Sequence, residues 1–136
     1  MHPILLIIIA ITVVISMMGF QKPEIFEKYK FSVSAIQNRK EYIRLLSAGF
    51  LHADWGHLFF NMLTLYFFAP IVLYVYGTSG FLLVYLGSIV IGNLFSLYLY
   101  SRQSWYSAIG ASGGVSGILF AAVAYAPNEI EVNFLP

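Results

Sequence analysis

The residues of this sequence that could do chemistry are a serine set among glycines and a histidine and an amide one helical turn apart. Ser112 lies in the run Ile109-Gly110-Ala111-Ser112-Gly113-Gly114-Val115-Ser116-Gly117, which contains the G-x-S-x-G pattern of nucleophilic serines. Hydrolysis by serine needs the nucleophile, a base to take its proton, and donors for the oxyanion. A serine at a helix start has backbone N–H groups aimed at its own site, which favours negative charge there. His57, Asn61 and Thr64 stand at i, i+4 and i+7, so they share one face of a helix that is otherwise Leu, Phe and Met. Asn61 could donate through its amide and His57 through a ring N–H. A plainer account uses the same residues. Gly113-x-x-x-Gly117 and Ser112-x-x-x-Ser116 are small faces for close helix packing, and a His–Asn pair can simply join two membrane helices. His52, Asp54 and His57 lack the spacing of helical zinc ligands, so no metal is expected. His2 reads as a solvated terminal residue.

Those groups need a scaffold for which lipid is the solvent. Of the 136 residues, 60% are apolar and 10% charged, and the mean hydropathy is +0.80. A soluble domain of this size could not hide so much apolar surface. The net charge of +1 gives no footing for nucleic acid, and with no cysteine there is neither a disulfide nor a thiolate site. Residues 3–20 form an uncharged apolar run that just spans a bilayer. The run lacks the basic start and cleavage site of a signal peptide, and reads as a retained helix. Residues 21–56 hold six of the seven basic residues. Phe26, Tyr29, Phe31, Val33 and Ile36 are spread there among charges, as in a segment lying on the interface. Residues 41–46 read as a short amphipathic helix dipped into lipid. This connection is too apolar for a linker and should fold against the bundle.

A second membrane helix is expected over 57–76, capped by Asp54, with Trp55 at the interface and a kink at Pro70. Gly77-Thr78-Ser79-Gly80 is a tight turn, and 81–100 is a third helix with Ser88, Gly92 and Ser96 as a face for close contact. Tyr98, Tyr100, Trp105 and Tyr106 read as an aromatic belt. The fourth helix, 112–126, is roughly 22 Å long at 1.5 Å per residue, short of a bilayer core of about 30 Å. Irregular backbone at membrane depth is tolerated only beside protein or water. This implies a water-accessible cavity with Ser112 at its floor. Counting crossings puts the long connection, His57, Asn61 and Ser112 on one side, where they could converge.

At this point the residues resemble a family. His52-Ala53-Asp54-Trp55-Gly56-His57-Leu58-Phe59-Phe60-Asn61 is similar to the H-x-x-x-x-H-x-x-x-N signature of rhomboid intramembrane serine proteases. Gly110-Ala111-Ser112-Gly113 resembles their G-A-S-G nucleophile motif. The resemblance runs over the whole chain, in the right order with one helix between. It implies that Ser112 is the nucleophile, that His57 and Asn61 serve the oxyanion, and that His52 supports them near the mouth. It assigns the base to a histidine on a sixth helix, a role that none of the three histidines here takes. The family's Trp-Arg pair in the first loop is here Ile43-Arg44. Positive-inside counting would put the basic connection in the cytoplasm; the family places that loop outside, and the resemblance is followed.

The reading is an all-α polytopic membrane bundle of about four helices with a long interfacial first loop, one rhomboid-like domain over 1–136. The core is expected to be incomplete at its C-terminus and, lacking the base, inactive alone. The expected function is cleavage of single-pass membrane proteins through an acyl-enzyme on Ser112, without cofactor or metal. The expected place is a multi-pass position in a plasma or inner membrane. The alternative is a non-catalytic rhomboid-like protein that binds transmembrane helices. A soluble α/β hydrolase would need a strand before Ser112 and a hydrophilic surface. A transporter would need intramembrane charges along an ion path.

Overall fold

The computed structural model describes residues 1–109 and 112–125, apart from the side chains of Ser112 and Tyr125. Its first helix, α1 (Pro3–Gln21), begins on a proline whose fixed φ suits the first helical position. It stops where Lys22 turns extended ahead of Pro23. Leu5, Ile8, Thr12, Ser16 and Gly19 form its buried face. Leu6, Ile7, Ile11, Val14, Met17 and Met18 point outward. A helix whose outer face is as apolar as its inner one is made for lipid.

The next long element, α5 (Trp55–Leu99), has 45 residues and departs from helical geometry at Gly77, where φ is 73° and ψ is −178°. That conformation is open to glycine and strained for residues with a Cβ. It divides α5 into two limbs, 55–76 and 78–99, each about 33 Å long at 1.5 Å per residue. The limbs share one core, in which Leu58, Met62, Leu65, Ala69 and Val72 meet Phe81, Tyr85 and Ile89. The break therefore falls one residue after the expected helix end, but the turn is Gly77 alone. Thr78, Ser79 and Gly80 already belong to the second limb, and Pro70 keeps helical angles. Among the described residues two helices, α1 and α5, are long and apolar enough to cross a membrane.

The next helix, α6 (Ser112–Tyr125), packs along the second limb through its glycines. A Cβ on Gly114 would stand 2.8 Å from the Tyr85 ring and 2.9 Å from Ile89, and one on Gly117 would collide with the Ser88 hydroxyl. The small faces expected on the third and fourth helices thus meet, at Ser88. Gly92 and Ser96 instead line a cavity of about 200 Å³ with Asn93, Ala108, Ile109 and Gly113, beside the start of α6.

Between α1 and α5 the chain folds on itself. It forms α2 (Pro23–Tyr29), β1 (Phe31–Ser32), α3 (Val33–Arg39), α4 (Arg44–Ser47) and a 3-10 turn (Ala48–Phe50). β1 pairs antiparallel with β2 (Ser107–Ala108), Phe31 opposite Ala108 and Ser32 opposite Ser107. Arg44 is buried and ties the loop: Nη1 donates to the carbonyls of Glu27 (2.9 Å) and Lys30 (2.8 Å), and Nε to Glu41 Oε1 (2.9 Å). Ser47 Oγ donates to Tyr29 O at 2.8 Å, and Asn93 of the second limb donates to Leu45 O at 2.7 Å.

With its backbone groups so satisfied, the loop can bury Phe31, Val33, Ile36, Leu45 and Ala48 in a core of its own. Phe31, Val33 and Ile36 therefore do not lie on the interface. Nor does 41–46 form the expected lipid-dipping helix: Arg44 and Leu45 turn inward, while Tyr42 and Ile43 turn out. Tyr106 leaves the expected belt too, stacking on Tyr100 (centroids 3.8 Å, 5°) and taking the edge of Phe31.

Candidate active site

The site grows from the loop that enters α5. Asp54 caps the helix, its Oδ1 accepting from His57 N at 2.8 Å, as the sequence predicts. This cap sets the register in which Asn61, one turn on, faces back toward the loop. There Asn61 Nδ2 lies 3.0 Å from His52 Nε2. His52 is 1% exposed, and its Nδ1 lies 2.9 Å from Ser16 Oγ of α1. Ser16 Oγ in turn donates to Phe50 O at 2.8 Å. One imidazole thus joins α1, the 3-10 turn and the first limb of α5. Burial, helped by the nearby His57 and opposed by Asp54, pushes the His52 pKa down to about 4, so the ring is neutral at physiological pH.

The expected stripe divides. His57 keeps its side chain 69% exposed and lies 3.5 Å from Asp54 Oδ2. Thr64 turns its hydroxyl to Phe60 O of its own helix at 2.9 Å. Of the three, Asn61 takes a partner from another element. The Ser112 backbone heads α6, while its side chain, together with Gly110 and Ala111 of the nucleophile motif, lies outside the described residues. The segment from 126 onward, with Pro127, is also outside them. α6 touches the 3-10 turn that ends at Phe50. The serine helix and the His52 network therefore meet the same short loop.

A family model for the Rhomboid domain matches residues 39–134, which hold the His52–Asn61 stretch and Ser112. The chain belongs to the rhomboid family. Similar proteins include the rhomboid-family protein YdcA of Bacillus subtilis (strain 168), 40% identical over 78 residues, which are 57% of this chain and 38% of that one. The rhomboid protease GluP of the same organism is 38% identical over 81 residues, 60% of this chain and 15% of its own length. The mitochondrial rhomboid protein 1 of Saccharomyces cerevisiae is 35% identical over 81 residues, 60% of this chain and 23% of that protein. This chain spans between 15% and 38% of the length of these relatives.

For a rhomboid chain with two helices of this length and hydropathy, the membrane is the setting. Two residues at the site go beyond the sequence reading. His52, expected as a support near the mouth, is buried with both ring nitrogens engaged. Ser16 was not anticipated at all. Its one signal in the sequence is that Thr12 and Ser16, at i and i+4, interrupt a helix of Ile, Leu, Val and Met. Hydroxyls in such a helix are expected to face protein.

Proposed function

We propose that this rhomboid chain carries the nucleophile of an intramembrane serine protease. Residues 1–136 form one membrane domain that crosses the bilayer four times, through α1, the two limbs of α5, and α6. Ser112 Oγ attacks the scissile carbonyl carbon while a histidine from a later helix of the core takes its proton. The oxyanion is received by the Ser112 N–H, the free N–H of Asn61 and a ring N–H of His57. Collapse of the tetrahedral species releases the amine, which takes the proton back, and water then cleaves the acyl-Ser112 ester. The substrates are single-pass membrane proteins whose helix unwinds near the mouth, and the setting is a plasma or inner membrane.

The observation that carries this reading is the Asn61 amide, held by a buried, neutral histidine on a helix whose neighbours are apolar. The amide bonds a ring that Ser16 itself ties in place, so beyond linking α5 to α1 it is held in one orientation, which is how a donor is kept ready for charge that develops later.

The test is cleavage of a single-pass substrate by the full-length protein in vesicles. Wild type should cut, and Ser112→Ala should lose on the order of 10⁶ in kcat. A phosphonylating serine probe should label wild type at Ser112 and leave the variant unlabelled. A full-length wild type that binds the substrate without cutting it would make the chain a helix-binding rhomboid and remove Ser112 from the chemistry.

A further inference from the structure

We propose that Ser16 is a positioning residue for the site: its hydroxyl fixes His52 as the Nδ1–H tautomer and, through His52, sets the Asn61 amide with one N–H anchored and the other free. The argument starts at the group that has no choice. Phe50 O is a carbonyl and only accepts, so the single hydroxyl hydrogen of Ser16 lies on that 2.8 Å contact. What Ser16 Oγ turns toward His52 Nδ1, 2.9 Å away, is a lone pair, so Nδ1 must bring the hydrogen. A neutral imidazole carries one N–H, which leaves Nε2 bare. The Asn61 group 3.0 Å from Nε2 must then be a donor, the NH₂ and not the carbonyl oxygen.

Every bond points the same way, from Asn61 to His52 to Ser16 to Phe50, and bonds so aligned strengthen one another in a poorly polarisable interior. Removing the hydroxyl frees the ring to carry its hydrogen on Nε2. That N–H would oppose the Asn61 NH₂, so the amide would flip, present Oδ1 to the ring and move its donors. α1, which supplies none of the reacting groups, would therefore decide where an oxyanion donor stands. The tautomer step is independent of the protease reading; the consequence for catalysis rests on it.

The tautomer is read directly from the ring ¹⁵N shifts of histidine-labelled full-length protein in lipid nanodiscs, with His52 assigned by its loss in His52→Gln. Wild type should show a protonated Nδ1 and a bare Nε2. Ser16→Ala should move the hydrogen to Nε2, and Ser16→Thr, which keeps a hydroxyl, should restore the wild-type pattern. In the cleavage assay Ser16→Ala should lower kcat roughly 10- to 100-fold, less than outright loss of the amide, with KM little changed. Ser16→Thr should recover most of it. A wild-type ring protonated on Nε2, or a Ser16→Ala protein that keeps Nδ1–H, overturns the proposal. So does a Ser16→Ala enzyme with full kcat. A wild type that never cuts while its tautomer responds as described overturns the protease reading, with the tautomer assignment upheld.

Discussion

The two sides of this molecule are held together by different means. On the α1 side the contacts are polar and directional: Arg44 reaches two carbonyls and Glu41, and His52 links Ser16 to Asn61. On the α6 side the contacts are steric, with Gly113, Gly114 and Gly117 laid on Ser88, Ile89 and Tyr85. Lipid tails are as apolar as leucine, so helices in a membrane gain little from hydrophobicity when they meet. What remains is close packing or hydrogen bonding, and beside the apolar core that both share, each side of this chain leans on one of them. Hydrogen bonds fix the orientation of a side chain. Glycine contacts fix how near two backbones come. A site that joins an oriented amide to a serine at a helix start needs both.

The contrast can be broken at its strongest point on either side. Arg44→Met removes a buried charge-assisted donor and leaves the Glu27 and Lys30 carbonyls without it. At a net 1.5–3 kcal/mol per such bond, less what relaxation recovers, unfolding in mixed micelles should show a loss of about 3 kcal/mol. Gly117→Ala drives a methyl into the Ser88 hydroxyl and should cost about 2 kcal/mol by overpacking. Ser88→Gly in the same protein should return most of that, since it removes the atoms struck. If the two sides are independent, Arg44→Met and Gly117→Ala should add within about 0.5 kcal/mol. A larger coupling would mean that the division is false.

Two smaller effects sharpen the picture. Gly77→Ala, at φ 73° and ψ −178° with open space around the added methyl, tests backbone strain alone. It should cost about 1–2 kcal/mol without disturbing either set of contacts. The pH dependence belongs to the polar side only. His52 titrates near 6.5 when unfolded and near 4 when folded. Between these values the unfolded chain binds more protons, so stability rises with pH across that window. Its contribution is fully present above about pH 6.5 and is lost as pH falls toward 4. His52→Gln should flatten the slope, and an unchanged slope would show that His52 is not buried neutral.

Much of the fold was legible because it rests on local rules. The apolar runs, the Asp54 cap, the stop at Gly77 and the close face at Ser88 each follow from neighbours in the chain. The connection between α1 and α5 was legible as folded but not as to how. Its apolar residues were read against lipid, and several found partners instead in Tyr100 and Tyr106, more than fifty positions onward. Periodicity likewise put His57, Asn61 and Thr64 on one face, correctly as helix geometry. It could not say that Asn61 would reach back to His52 while His57 stayed in the open.

By itself, then, the sequence determined the membrane class, the family and the identity of the residues with chemical capacity, since these depend on composition and on spacing within one helix. The tertiary structure decided which of those residues meet. The polarity of the Ser16–His52–Asn61 chain depends on a carbonyl at Phe50 lying beside a hydroxyl 34 positions earlier. Hydrogen-bond direction is a property of atoms brought within 3 Å. No periodicity along a chain encodes which distant atoms those will be.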